Sequence, residues 1–300
     1  MTAVLTHAGR AAALLLALVL TGCNLDSGQR TSAEHARVVA EAREQRLSAF
    51  LSPSGFLSYR VSGRLREGRY RVGSADGSEL RLPHGPGFAG WLDVGPSGLR
   101  FIDPQGQLLG QTDALALHRG TWRVPMGDGA LVVVRMGDYL GWRYQWPQGG
   151  EHPHFKGFSY FPVDARWRIT AQWVAYPQPR PQLVNTSGGG VLELQSPGEA
   201  RFVVQGRQWM LRPVMTPVQD GRMMFLFRDR SSGKESYSGG RYLFVPVPTG
   251  RTLELDFNLA VNPACVVSPH LICPVPPLDA YLDVAVLAGE RDWDPLSDQG

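Results

Sequence analysis

Lysine is almost missing from this sequence: of 30 basic residues, only Lys156 and Lys234 are lysines. The others are arginines spread along the chain without a basic run, so no cationic stripe is available to track a nucleic acid. A formal net charge of +3 agrees, and no nucleic acid is expected as a partner. The arginine bias fits a GC-rich genome better than a dedicated anion site, although each planar guanidinium can hold a carboxylate bidentately. Cysteine is scarce too, with three residues, Cys23, Cys265 and Cys273. No apolar run reaches the ~20 residues that a helical bilayer span needs. Also missing are a nucleophile elbow, a phosphate loop, a dinucleotide fingerprint and a zinc-protease helix. Ser187-Gly188-Gly189-Gly190 is glycine-rich but precedes a strand, so it reads as a turn. No cofactor and no metal is expected.

What the sequence does have is 35 glycines and 23 prolines in 300 residues, which point to many turns and short strands. Its hydrophobic fraction of 43% suffices for a sizeable core. At the N-terminus Arg10 precedes an apolar stretch, Ala11 to Leu20, too short to cross a bilayer but suited to a signal-peptide core. The stretch ends in Leu20-Thr21-Gly22-Cys23, with small residues before the cysteine. This resembles the lipobox of bacterial lipoproteins. The resemblance implies that residues 1–23 are a signal, that Cys23 is acylated, and that the membrane is a partner through that lipid. Asn24, where an aspartate would favour inner-membrane retention, points to the outer membrane facing the periplasm. In that oxidising compartment the two remaining cysteines, Cys265 and Cys273, read as a disulfide. His270 lies between them, but their spacing exceeds that of ordinary zinc knuckles and no fourth ligand is evident, so the disulfide is favoured over a metal.

Residues 24–32 are polar and read as a tether. Thr31-Ser32-Ala33-Glu34 looks like a capping box before a helix over 33–51, with Val38, Val39, Ala42, Leu47 and Phe50 as its modest apolar face. From Ser58 the hydrophobic period becomes two. Segments 58–65, 69–73, 99–102, 107–109, 130–136 and 139–146 predict a β-sandwich-like module over 52–148. Pro147 to Pro153 reads as a linker in which His152 and His154 are solvated. A second antiparallel β module is expected over 154–290. In it Trp167, Ile169, Ala171 and Trp173 alternate with polar residues and so share an inward face. Further strands are expected at 191–195, 201–204, 208–214, 223–227, 242–247 and 253–257, with 281–287 closing. The fold class is therefore mainly β behind one N-terminal helix.

The second module carries distinctive motifs: Phe155-Lys156-Gly157-Phe158, Phe227-Arg228-Asp229, Ser232 to Tyr237, Gly240-Arg241-Tyr242-Leu243, Leu255-Asp256-Phe257-Asn258, Asn262-Pro263, and Cys273-Pro274-Val275-Pro276-Pro277. In order and spacing these resemble the family known as domain of unknown function 1684, over roughly residues 33 to 290. That resemblance implies no activity. Where the family places an acidic or amide residue and an asparagine after the proline pair, this chain has Leu278, Asp279 and Ala280. The first module resembles a forkhead-associated sandwich through its strand spacing and Arg71-Val72-Gly73-Ser74. Ser74 stands where such domains keep their phosphothreonine-reading arginine, so phosphopeptide binding is not expected.

The densest polar cluster is Asp229, Glu235, Tyr237, Arg241, Asp256, Asn258 and Asn262. Asp256 and Asn258 are two apart and share a strand face. If the strands pair, two carboxylates, a phenol and a guanidinium could bind a polar ligand or perform acid–base chemistry. The competing reading is a polar network that pins a long loop, with Arg241 paired to Asp229 or Asp256. Three functions follow: a ligand-binding or scaffold module of the envelope, whose partner is an envelope glycan or another envelope protein; a hydrolase-type enzyme using Asp229 or Asp256 as base and Arg241 as anion holder; or a purely structural module. Trp142, Tyr144 and Trp146 share a strand face and fit either a sugar-stacking platform or a core.

Overall fold

The computed structural model describes residues 24–117, 120–147, 155–215 and 221–293. Cys23, most of the Pro147–Pro153 linker, and His152 and His154 lie outside them. The chain divides into two compact units, residues 1–38 and residues 39–300. Among described residues the first unit holds only the beginning of helix α1 (Asn24–Leu51). The helix thus starts at Asn24 rather than near Ala33, and the segment expected to be a tether is helical. Nothing between Asn24 and Ala33 is a proline, so Thr31 and Ser32 are passed through rather than serving as a cap. In the second unit α1 buries Val39 and Phe50. It ends where Pro53 forbids continuation, with the Ser52 hydroxyl donating to the Ala49 carbonyl at 3.1 Å.

Residues 59–145 build the expected sandwich. One sheet has β1 (Tyr59–Arg64), β9 (Tyr139–Gln145), β8 (Gly129–Met136) and β7 (Thr121–Met126) in that order. The other runs β3 (Leu80–Arg81), β2 (Gly68–Gly73), β4 (Gly90–Gly95), β5 (Gly98–Ile102) and β6 (Leu108–Asp113). The segments with clear alternation are all strands; β3, β4 and β7 are additional. The Asp103 turn forms through its carboxylate, which accepts from the amides of Gln105 and Gln107, and Gly106 takes the positive φ that the turn demands. Leu131 and Val133 of β8 face the sandwich core together with Trp142 and Tyr144. Those two aromatic side chains are therefore core residues, not a sugar platform. Ala130, Val132 and Val134 face the other way and are buried as well. Both faces of β8 are covered because this sheet meets the second half of the chain; Ser62 on β1 hydrogen-bonds His270 at 3.1 Å.

The second half forms an eight-stranded sheet, antiparallel except for one short parallel pair, that curls into an almost closed barrel. Its path is β15 (Arg241–Pro246), β14 (Arg222–Asp229), β13 (Pro213–Met215), β11 (Val191–Val204), β10 (Arg168–Asn185) and β16 (Thr252–Asp256), with β12 (Arg207–Leu211) paired to β11. The gap between β15 and β16 is bridged where Tyr242 and Val261 exchange backbone hydrogen bonds at 2.8 and 2.9 Å. Strand β10 is much longer than its alternating stretch predicts. Its ladder to β11 shifts register between Ala175 and Arg180, and Pro177 and Pro179 sit in that irregular stretch, where no ladder amide is needed. Trp167, Ile169, Ala171 and Trp173 point into the barrel as their period requires. There Phe257 meets the rings of Trp167, Phe202 and Phe227 with centroids 5.2 to 6.1 Å apart, so side chains fill the lumen.

The segment after Pro277 closes one end of this barrel. β17 (Tyr281–Leu282) pairs parallel with β14 for two residues, and the chain then continues as an extended strap. The expected strand over 281–287 is therefore mostly not a ladder. Leu282, Val284, Val286 and Ala288 nevertheless alternate into the barrel core. Every second strap residue seals the barrel; side chains hold it at Val286 and Ala288, and scattered backbone bonds hold Val284 to Arg230, Gly289 to Phe161, Glu290 to Ala260 and Arg291 to Ser159.

Candidate functional site

The seven polar residues singled out in the sequence do not converge in one open pocket. They separate into three buried nodes and one surface loop.

The first node is Arg241 with Asp229, at the adjoining ends of β15 and β14. Both side chains are completely buried, and Nη2 lies 2.8 Å from Asp229 Oδ2. The same Nη2 donates to the Val286 carbonyl at 2.7 Å, and Nη1 donates to the carbonyls of Ala288 and Glu290. Asp229 Oδ1 accepts from the amide of Ser231 at 2.8 Å and that of Val286 at 3.2 Å. The Ser231 hydroxyl donates to it as well and contacts the Ser236 hydroxyl. The guanidinium also lies 5.3 Å from the Phe227 ring centroid. This node ties together the loop after β14, the start of β15 and three successive inward turns of the strap. Burial pulls the Arg241 pKa below its ordinary value while the Asp229 charge opposes that shift.

The second node is Asp256 with Asn258. Asp256 caps the short turn Phe257–Leu259, accepting from the Asn258 amide at 3.0 Å and from its side-chain amide at 2.8 Å. Asn258 then holds the segment entering β10, exchanging bonds with both backbone groups of Asp164 at 2.9 and 3.0 Å. Their sharing of one face, expected from spacing, produces a local cap rather than a ligand site.

The third node joins Asn262 to two residues that sequence reasoning missed, Glu290 and Arg46. Glu290 is fully buried and forms a two-pronged ion pair with Arg46 of α1. Its second oxygen accepts from the Asn262 amide at 2.6 Å, and Arg46 also donates to the Asn262 carbonyl at 2.7 Å. The Arg46 guanidinium lies over the rings of Phe50 and Phe158 at 4.8 and 4.5 Å. One turn earlier, Arg43 covers the Tyr160 ring at 4.2 Å and donates to the Phe161 carbonyl at 3.0 Å. Burial raises the Glu290 carboxyl above its usual range, against the pull of Arg46. Burial and the Glu290 charge push the Tyr160 phenol up. A signal for Glu290 was present: it continues the inward alternation Leu282, Val284, Val286, Ala288.

Glu235 and Tyr237 lie apart, on the loop between β14 and β15. Glu235 is exposed, and its carbonyl accepts from the Asp292 amide at 3.0 Å. The Ser231 carbonyl gathers the amides of Lys234, Glu235 and Ser236 at 3.0 to 3.1 Å, so the loop is folded on itself. Cys265 and Cys273 are present as neighbouring thiols rather than as the expected cystine, with the Cys265 amide donating to Cys273 Sγ at 3.2 Å.

Residues 153–291 match the family model described as Protein of unknown function (DUF1684). The resemblance drawn from the second module's motifs holds for that stretch. Among solved structures, the chain is similar to an uncharacterized protein of Haloarcula marismortui determined by solution NMR. It is 29% identical, with a TM-score of 0.40, and the match covers 48% of this chain and 80% of that one. No curated protein matches.

Two outcomes follow from the nodes. Arg241→Ala, which leaves Asp229 buried without its counter-charge, should lower stability by roughly 3–5 kcal/mol in urea denaturation; a loss of under about 0.5 kcal/mol, the scale of ordinary surface changes, would contradict the node. For Glu290, a carboxyl whose folded pKa is raised contributes stability that is complete below its unfolded value and fades as pH rises through the folded one. Arg46→Ala removes the counter-charge that limits this shift. Its deficit relative to the parent should therefore be small near about pH 4 and grow towards neutrality. A deficit that is the same at both pH values would sink that reading.

Proposed function

We propose that this chain is a lipid-anchored protein of the bacterial envelope whose β body is a scaffold or binding module rather than a hydrolase. The observation that carries the second half of the reading is the inward engagement of Arg241 and Asp229. A hydrolase needs its base and anion holder to face a substrate, at least after modest rearrangement. Both side chains are instead sealed and bonded to the chain's own backbone, and Asp256 is buried in its cap. The cluster holds the fold, and binding to an envelope glycan or another envelope protein falls to the outer surface.

The first half rests on Leu20-Thr21-Gly22-Cys23 behind its apolar stretch. No helix among the described residues is long and apolar enough to cross a membrane. Acyl chains on Cys23 then supply the attachment, in the outer membrane facing the periplasm. The adjacency of Cys265 and Cys273 supports their oxidation to a disulfide in that space.

The test is expression of the full chain in a Gram-negative host, followed by membrane fractionation and mass spectrometry of the N-terminal peptide. The expected result is an acylated Cys23 in the outer-membrane fraction, and release of the Cys23→Ser variant from the acylated pool. An unmodified Cys23 with the protein in the soluble fraction would refute the anchor.

A further inference from the structure

The loop carrying the two cysteines is not needed by any of the three polar nodes, yet it is closely built. Cys265 begins near a short turn, Ala264–Val266, and Cys273 returns beside it. The Cys273 amide donates to the Ser187 hydroxyl oxygen at 3.0 Å, and the Ser187 amide donates to the Cys273 carbonyl at 2.9 Å. The Cys265 amide reaches Cys273 Sγ at 3.2 Å. Backbone bonds therefore hold the sulfurs together without a covalent link.

The two thiols are unequal. Cys273 is buried in the apolar cluster with Val184, Met224, Leu226 and Tyr242, whereas Cys265 is only partly covered. The hydrogen bond with the Cys273 thiol pulls the Cys265 pKa down, against burial and with the help of the Ser187 hydroxyl. Bonding to Cys265 and burial push Cys273 up. The charged and titratable groups facing the pair are Arg143 from β9, Tyr237 and Tyr242, with Asp292 beyond Tyr237. A half-buried sulfur beside a more deeply buried second thiol is an arrangement that exchange chemistry can use. A permanent staple has no need of that asymmetry.

We propose that Cys265 and Cys273 form a thiol–disulfide exchange site, with Cys265 as the attacking sulfur, Cys273 as the resolving one, and small or protein disulfides as substrates. The Cys265 thiolate attacks a disulfide RSSR, forming a mixed disulfide and releasing one RS⁻. The Cys273 thiol passes its proton to the released RS⁻ and attacks the Cys265 sulfur. The intramolecular disulfide forms and the second RS⁻ leaves, so the protein is oxidised by two electrons and RSSR is reduced to two thiols. The reverse steps restore the dithiol. Between the two cysteines, His270 bonds Ser62 of the first sandwich, so exchange acts at the seam between the two β modules. The site rests on neither the lipid anchor nor the scaffold reading.

The test uses the full-length protein in detergent with glutathione. Oxidised glutathione should add one glutathione to the Cys273→Ser variant, mapped to Cys265, and none to position 273 of the Cys265→Ser variant. An adduct on Cys273, or none on either, overturns the assignment of roles. In the unsubstituted protein, which removes any doubt about variant folding, a short iodoacetamide pulse under reducing conditions should label Cys265 before Cys273. Across mixtures of reduced and oxidised glutathione, the pair should pass from dithiol to disulfide. Simultaneous or reversed labelling, or a pair fixed in one state in every mixture, overturns the proposal.

Discussion

A guanidinium with no access to solvent organises the second half of this protein. Arg241 is a long, permanently charged side chain at the end of a barrel strand, and burial disfavours its charge. Such a group persists only if a counter-charge and acceptors meet it. Asp229 supplies the charge, and the carbonyls of Val286, Ala288 and Glu290 supply the acceptors. Those carbonyls belong to a strap that has almost no ladder of its own. The barrel end can therefore be sealed by an irregular segment whose backbone polarity is satisfied by the Arg241–Asp229 pair together with scattered backbone bonds to Arg230, Phe161 and Ala260. The strap in return places Leu282, Val284 and Val286 on the aromatic core.

The same strap delivers Glu290 to Arg46, and so brings α1 into the account. The barrel, the strap and the helix are linked by the Arg46–Glu290 ion pair and by the Arg241–Asp229 pair, which bonds the strap backbone at neighbouring places. Buried pairs of this kind contribute little net stability compared with apolar replacements of the same shape, but removing one partner is severe. Their value here is positional. A strap that slipped by one residue would turn its apolar side chains outward and leave Arg241 and Arg46 facing the wrong groups.

The β character, the sandwich strands, the Asp103 turn and the inward face of Trp167 to Trp173 were legible because each is written in local period or turn chemistry. The length of β10 was not, since its prolines read as breaks until a register shift absorbs them. The start of α1 was misread because hydroxyls at Thr31 and Ser32 are weak stop signals inside a helix. Of the polar cluster, the sequence left open a ligand site and a loop-pinning network with Arg241 paired to Asp229 or Asp256; spacing alone could not choose between those partners or show that Asn262 meets Glu290. Asp229 and Arg241 lie on adjacent strands, while Arg46 and Glu290 come from opposite ends of the chain. Nothing local marks that pairing except a charge on an otherwise apolar alternation. Glu235 and Tyr237 share the motif with Arg241, but Glu235 is exposed and Tyr237 is half-buried towards the cysteine pair, a distinction only the fold can make.

The claim that the strap is part of the barrel rather than a loop lying over it is tested most directly by native-state hydrogen exchange of residues 281–291. If the Arg241 and Asp229 bonds are as described, the Val286 amide and its neighbours should exchange with the same protection as the amides of β14, opening only when the barrel opens. Exchange of the strap at loop-like rates while β14 stays protected would contradict the account.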